Sequence, residues 1–118
     1  MNEPSCVFCR ILRGEIPSQK LYEDDATIVV RDVNPQAPLH VLVVPREHVQ
    51  DIAGALQRQG GEERVGKLFS TAVRIAADQG LAAGGFRLVV NTGSDGGQTV
   101  GHLHLHLMGG RQMTWPPG

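Results

Sequence analysis

Thr99-Val-Gly-His-Leu-His-Leu-His-Leu-Met108 is the stretch whose pattern decides the architecture. From His102 to Leu107 histidine and leucine alternate without a break, and in an extended chain successive side chains point to opposite faces. The spacing predicts a strand from Thr99 to Met108 that sends Leu103, Leu105 and Leu107 into a core. His102, His104 and His106 then share the other face, each roughly 6.6 to 6.8 Å from the next along the strand. The ordinary alternative is a solvated polar face on a half-buried strand. A row of identical imidazoles beside a glycine-rich loop argues for chemistry instead.

Working outward, Thr92-Gly-Ser-Asp-Gly-Gly-Gln98 is too rich in turn residues for regular structure, and Phe86-Arg-Leu-Val-Val-Asn91 before it reads as a strand. Two more β-rich runs stand earlier. Ala26 to Asp32 lies between an acidic turn and Asn34-Pro35, and Leu39 to Pro45 is stopped by a residue that cannot donate to a ladder. Between Gly61 and Gly80 the period changes: Val65, Leu68, Phe69, Ala72, Val73 and Ala76 mark one face of a long amphipathic helix. A short helix, about Phe8 to Arg13, ends at Gly14. Strands, one long helix, then strands again predict an α+β domain with an antiparallel sheet rather than βαβ units.

With 118 residues and no repeat, low-complexity tract or linker, one domain spanning 1–118 is expected. A net charge of -1 gives no bulk electrostatic reason to bind nucleic acid or anionic lipid, so phosphate binding would have to be local. No apolar run approaches the roughly 18 to 20 residues that cross a bilayer, and the start of the chain lacks a secretory signal pattern. No membrane partner and a cytoplasmic location are therefore expected. The cysteines, Cys6 and Cys9, are spaced C-x-x-C, which in a reducing compartment suits metal binding or redox chemistry better than a structural disulfide.

A neutral imidazole has a nucleophilic nitrogen and a second nitrogen through which a neighbour can hold its tautomer. One histidine of the run can attack phosphorus while the others orient and donate. The glycines of the 93–99 loop would let backbone N–H groups approach an anion, with Ser94, Gln98 and Thr99 adding side-chain donors. A plain turn between strands is the competing reading.

His-Leu-His-Leu-His-Leu-Met, preceded by Asn91-Thr-Gly-Ser-Asp-Gly-Gly-Gln98, strongly resembles the histidine triad nucleotide-binding (HIT) proteins. The resemblance extends through Cys6-Val-Phe-Cys9, Gly14-Glu-Ile-Pro17, Tyr22 to Asp25, Pro35 to Pro38, His40, Pro45 and His48, and its closing Gly109 to Met113 with Trp115 to Gly118 points to the purine nucleoside phosphoramidase branch. It implies a sheet of about five antiparallel strands with one long helix, paired as a homodimer.

The resemblance also implies roles. His104 would attack the α-phosphorus of an adenosine 5′-phosphoramidate or aminoacyl adenylate, forming a nucleotidyl-histidine that water resolves to AMP. His106 would bind phosphate or assist the leaving amine, His40 would orient the triad, and His102 would support it. Thr99, Gln98 and Gly97 would hold phosphate oxygens, Asp32 the ribose hydroxyls, and Asn91 phosphate or sugar. Phe8, Ile11, Ile16, Val30 and Val33 would line the base slot, although residue type alone assigns them to the core. Trp115 would lie near the partner subunit's site.

Cys6 and Cys9 need two imidazoles to complete a Cys2His2 zinc site, and His48 and His102 are the candidates. Some members of the resembled family bind zinc through these positions. Four protein ligands would make the ion structural, with no metal required for the chemical step. Two other functions fit the residues: a hydrolase using catalytic zinc on His102, His104 and His106, and a nucleotide-binding sensor or partner-binding module without turnover.

Overall fold

The computed structural model describes residues 3–118; Met1 and Asn2 of the expected 1–118 domain lie outside the described residues. The element order is α1 (Val7–Leu12), β1 (Lys20–Glu23), β2 (Thr27–Arg31), β3 (Leu39–Pro45), α2 (Ile52–Gln57), α3 (Gly61–Asp78), β4 (Phe86–Val89) and β5 (Leu105–Gly109). The strands form one antiparallel sheet in the order β1-β2-β3-β5-β4. This is the α+β arrangement that the sequence predicts. No helix among the described residues is long and apolar enough to cross a membrane.

Each face of the sheet carries its own core. On one face Val29, Val41, Val43, Leu103, Leu105 and Leu107 pack with Val65, Leu68, Ala72, Ile75 and Ala76 of α3. On the other, Ile28, Val30, Leu42 and Val44 pack with Cys6, Phe8 and Cys9 at α1. Burial on both faces explains why β2 and β3 read as continuous apolar runs instead of alternating ones. On α3, Val65, Leu68, Ala72 and Ala76 are buried as predicted, but Val73 is 49% exposed. Ile75 takes the place on the inner face that the sequence reading assigned to Val73.

The last strand is shorter than expected. Only His106 of the three histidines lies in a ladder, because β5 begins at Leu105, paired with Val43. Two residues further that register would set Leu103 against Pro45, which has no N–H to give. The chain turns instead, with the Leu103 N–H donating to the Val49 carbonyl at 2.7 Å. The leucines still enter the core and the histidines still take the opposite side, but that side is not open. His102 is 0% and His104 7% exposed, since the amino-terminal segment covers them.

Two elements carry no clear sequence signal. β1 is a four-residue edge strand whose pairing with β2 is irregular between Lys20 and Tyr22. α2 is a six-residue helix capped by Asp51, whose carboxylate accepts the Gly54 N–H at 2.8 Å. α2 and α3 meet at Gly61, where an added Cβ would overlap the Ala55 carbonyl oxygen and lie 3.1 Å from Leu56 Cα. These obstacles are backbone and yield only if the helices part. Gly61→Ala is therefore expected to cost about 1 to 3 kcal/mol. A lower urea midpoint at unchanged slope is the expected result, and an unchanged midpoint would contradict the close approach.

Candidate active site

The face of the sheet under α1 holds a cleft of about 570 Å³, a size suited to a small ligand. His104 and His106 line it together with Asp32, Thr99 and the apolar Phe8, Ile11, Ile16, Val30 and Val33. Val33 stands at its rim, fully exposed.

Hydrogen bonds set the ring tautomers. The His104 Nδ1 lies 2.8 Å from the His102 carbonyl oxygen, and since a carbonyl can only accept, Nδ1 carries the proton and Nε2 keeps its lone pair. The Gln36 N–H donates to His40 Nδ1 at 3.0 Å, so the proton of neutral His40 is on Nε2. His40 Nε2 lies 2.9 Å from His106 Nδ1 and donates to it, which leaves neutral His106 with its proton on Nε2. The chain Gln36 to His40 to His106 thus delivers a donor beside the unprotonated Nε2 of His104, whose ring centre is 5.0 Å from that of His106.

Burial holds His40 below the usual histidine range, with the nearby Asp32 carboxylate opposing the shift. His106 is pushed down to about 4, first by burial, then by the neighbouring His104 and His40, again against Asp32. Both side chains are therefore neutral at physiological pH. As pH falls below the unfolded value of about 6.5, the unfolded chain takes up protons that the folded chain refuses. Stability contributed by these groups is complete above that value and is lost as pH falls toward about 4. Thermal melts across this window should show a falling midpoint, with a shallower slope in His106→Gln; equal slopes would refute the assignment.

His102 is placed elsewhere. Its Nε2 donates to the Pro45 carbonyl at 2.9 Å, so its Nδ1 lone pair faces Cys6 Sγ at 3.2 Å, Cys9 Sγ at 3.6 Å and His48 Nδ1 at 3.1 Å. Cys9 Sγ lies 3.3 Å from His48 Nδ1. A tetrahedral ion with N and S ligands at about 2.0 to 2.3 Å separates its donors by roughly 3.3 to 3.8 Å. The four atoms nearly have that spacing, within 4.8 Å of one another. His102, His104 and His106 do not form such a group among the described residues, because His104 Nδ1 is bound to backbone and His102 Nδ1 faces the cysteines.

Asn91, Gly97, Gln98 and Trp115 do not line the cleft. The Asn91 amide donates to the Gly96 carbonyl at 2.7 Å, and Gln98 accepts from the Gly93 N–H while donating to the Gln50 and Val100 carbonyls. The N–H groups of Gly97 and Gln98 are taken by Ser94 and Gly93 carbonyls. The loop thus spends much of its polarity on its own shape, with Gly97 at φ +75° making the turn, and Thr99 is the member that reaches the cleft. Trp115 is 82% exposed. Leu42 and Val100 also line the cleft without having been singled out from the sequence. Leu42 is two residues from His40 on β3, so strand alternation carried the signal; the irregular segment around Val100 offered none.

The HIT domain family profile matches residues 13–113. The adenylylsulfatase HINT1 of Arabidopsis thaliana is 46% identical over 121 residues, covering 99% of this chain and 79% of that protein. A 14 kDa zinc-binding protein of Zea mays is 42% identical, covering 100% of this chain and 91% of that one. Among solved structures, a HIT family hydrolase from Legionella pneumophila superposes with a TM-score of 0.91 at 45% identity, over 97% of this chain and 100% of that one.

Proposed function

The chain belongs to the HIT domain family, and from that premise we propose that it is a purine nucleoside phosphoramidase, hydrolysing adenosine 5′-phosphoramidates or aminoacyl adenylates to AMP through a nucleotide bound covalently to His104. Likeness to HIT family hydrolases supports a nucleotide hydrolase in general. The observation that carries the finer reading is the His104 Nδ1 bond to the His102 carbonyl, which leaves Nε2 free to attack.

In this reaction the Nε2 lone pair forms a bond to the α-phosphorus while the P–N bond breaks. The departing amine takes its proton from solvent at the cleft mouth. Neutral His106 does not surrender its ring proton; its Nε2–H hydrogen-bonds a phosphoryl oxygen as charge builds there, and Thr99 adds a second donor. Water then attacks the same phosphorus, His104 recovers its lone pair, and the water's proton returns to solvent with release of AMP. Asp32 accepts from ribose hydroxyls, and the apolar wall from Phe8 to Val33 holds the base. His102 supports through its carbonyl.

Cys6, Cys9, His48 and His102 would hold a structural zinc ion, which ties α1 to the sheet and takes no part in bond cleavage. Name and likeness of the maize relative support this. We also propose a homodimer acting in the cytoplasm, with Trp115 reaching the neighbouring subunit's site, and no nucleic-acid or membrane partner.

The deciding experiment incubates the protein with a panel of adenosine phosphoramidates and an adenylyl sulfate, quenches in base, and seeks the adduct by mass spectrometry. An AMP-sized increment on the peptide containing His104 is expected, with fastest turnover for P–N substrates. Turnover without any adduct would remove the covalent step; faster turnover of adenylyl sulfate, the class named in the Arabidopsis relative, would reassign the leaving group.

A further inference from the structure

Besides the Cys2His2 group, one other set of side chains among the described residues brings three ligating atoms together: Asp32, His40 and His106. His40 Nε2 lies 2.9 Å from His106 Nδ1 and 3.4 Å from Asp32 Oδ2. Ligands at about 2.0 to 2.2 Å around one ion are separated by roughly 2.8 to 3.6 Å for angles between a right angle and a tetrahedral one. Two of the three separations fall in this range; the third, between Asp32 and His106, lies within 4.8 Å, so a side-chain rotation closes the set around one ion.

Three further features fit a cation. Among the described residues Asp32 has no Lys or Arg ion-pair partner, only the neutral His40. Its second oxygen, Oδ1, accepts the Asn34 N–H at 2.8 Å, so the carboxylate is held with Oδ2 toward the imidazoles. His40 is oriented in the same way, its far nitrogen fixed by the Gln36 N–H; metal-binding histidines are characteristically held through their other nitrogen. Asp32 and His106 line the cleft, so solvent can reach the remaining coordination positions.

We propose that Asp32, His40 and His106 form a second metal site, an inhibitory one selective for divalent transition ions that favour nitrogen and oxygen ligands, such as Zn2+ or Co2+. Two imidazoles and one carboxylate suit these ions and disfavour Mg2+ and Ca2+, which take oxygen sets. An ion there replaces the His40 Nε2 proton between the two rings, which leaves to solvent, fixes His106 through Nδ1 away from its hydrogen-bonded position, and occupies the carboxylate oxygen that would accept from ribose. Nucleotide and metal therefore exclude each other. The metal binding itself does not rest on the hydrolytic reading; only the competition with nucleotide does.

The test adds Co2+ to purified full-length protein already holding one equivalent of zinc, with binding followed by visible spectra and by metal analysis after desalting. Cobalt on the cysteines would show intense thiolate charge-transfer bands, whereas a nitrogen and oxygen site shows only weak ligand-field bands. Expected is a second equivalent of the weak type, with inhibition of turnover tracking its occupancy and AMP displacing it. Asp32→Asn keeps Oδ1 for the Asn34 turn and replaces only the ligating oxygen. It should weaken this second equivalent by about tenfold or more, and His106→Asn should do the same. Unaltered cobalt binding in both variants, or no second equivalent at all, would overturn the site. If the weak-type equivalent forms and is lost in the variants but AMP fails to bind, the metal site stands and the nucleotide reading falls.

Discussion

Replacing His104 with glycine is expected to lower turnover of an adenosine phosphoramidate by at least roughly 10³-fold, about 4 kcal/mol of lost transition-state stabilisation. AMP affinity should stay within a few-fold. The asymmetry follows from the division of labour in the cleft. In the proposed reaction His104 supplies a bond-forming lone pair that no neighbour can replace, since His102 Nδ1 faces the cysteines and His106 Nδ1 is taken by His40. In the same proposal binding rests on the apolar wall and Asp32, which line the cleft and which the substitution leaves in place. His40→Gln should be milder, tens-fold at most by the same logic, because it disturbs only the orientation of His106. Single-turnover kinetics with isothermal titration of AMP check both variants. A His104→Gly protein retaining a tenth of wild-type turnover would exclude His104 as the nucleophile.

The sheet and long helix were legible because their signals are local. The period of α3 and the β-branched runs of β2 and β3 are set by which side chains must enter one core or the other. What the sequence could not show depends on partners distant along the chain. The early end of the β5 ladder follows from Pro45, about sixty residues away in sequence but facing Leu103, and the burial of His102 follows from α1 folding over it. The histidine roles divide in the same way. Spacing put all three on one side, but only hydrogen bonds from Gln36 and to the His102 carbonyl show which nitrogen of each ring is free. The 93–99 loop read as an anion cradle because glycine content does not reveal where N–H groups are already spent.

Removing the proposed zinc ion from the Cys2His2 group is expected to lower the melting temperature by about 10 °C or more, the effect of losing roughly 3 to 4 kcal/mol of ligand-linked stability in a domain of this size. α1 has six residues, too few to be stable alone. Its hold on the sheet comes from Phe8 and Cys9, both buried, and from the cluster joining Cys6 and Cys9 to His48 after β3 and His102 before β5. Without an ion, two imidazole Nδ1 atoms 3.1 Å apart and two thiols must satisfy one another by hydrogen bonds alone, and Cys6 is already driven toward its neutral form by burial. The larger core against α3 has no member in the cluster, so the domain should stay folded while α1 loosens. Because Phe8 and Ile11 belong to both α1 and the cleft proposed to hold the nucleotide, KM should rise several-fold. The proposed chemical step uses His104 Nε2, whose ring is held by the His102 carbonyl, so kcat at saturating substrate should change far less. Hydrogen exchange should locate the lost protection in residues 7–12, and Cys6→Ser with Cys9→Ser should reproduce it. Loss of kcat on chelation, restored by metal with KM unchanged, would instead support a metal-dependent hydrolase, for which the nitrogens of His104 and His102 point the wrong way.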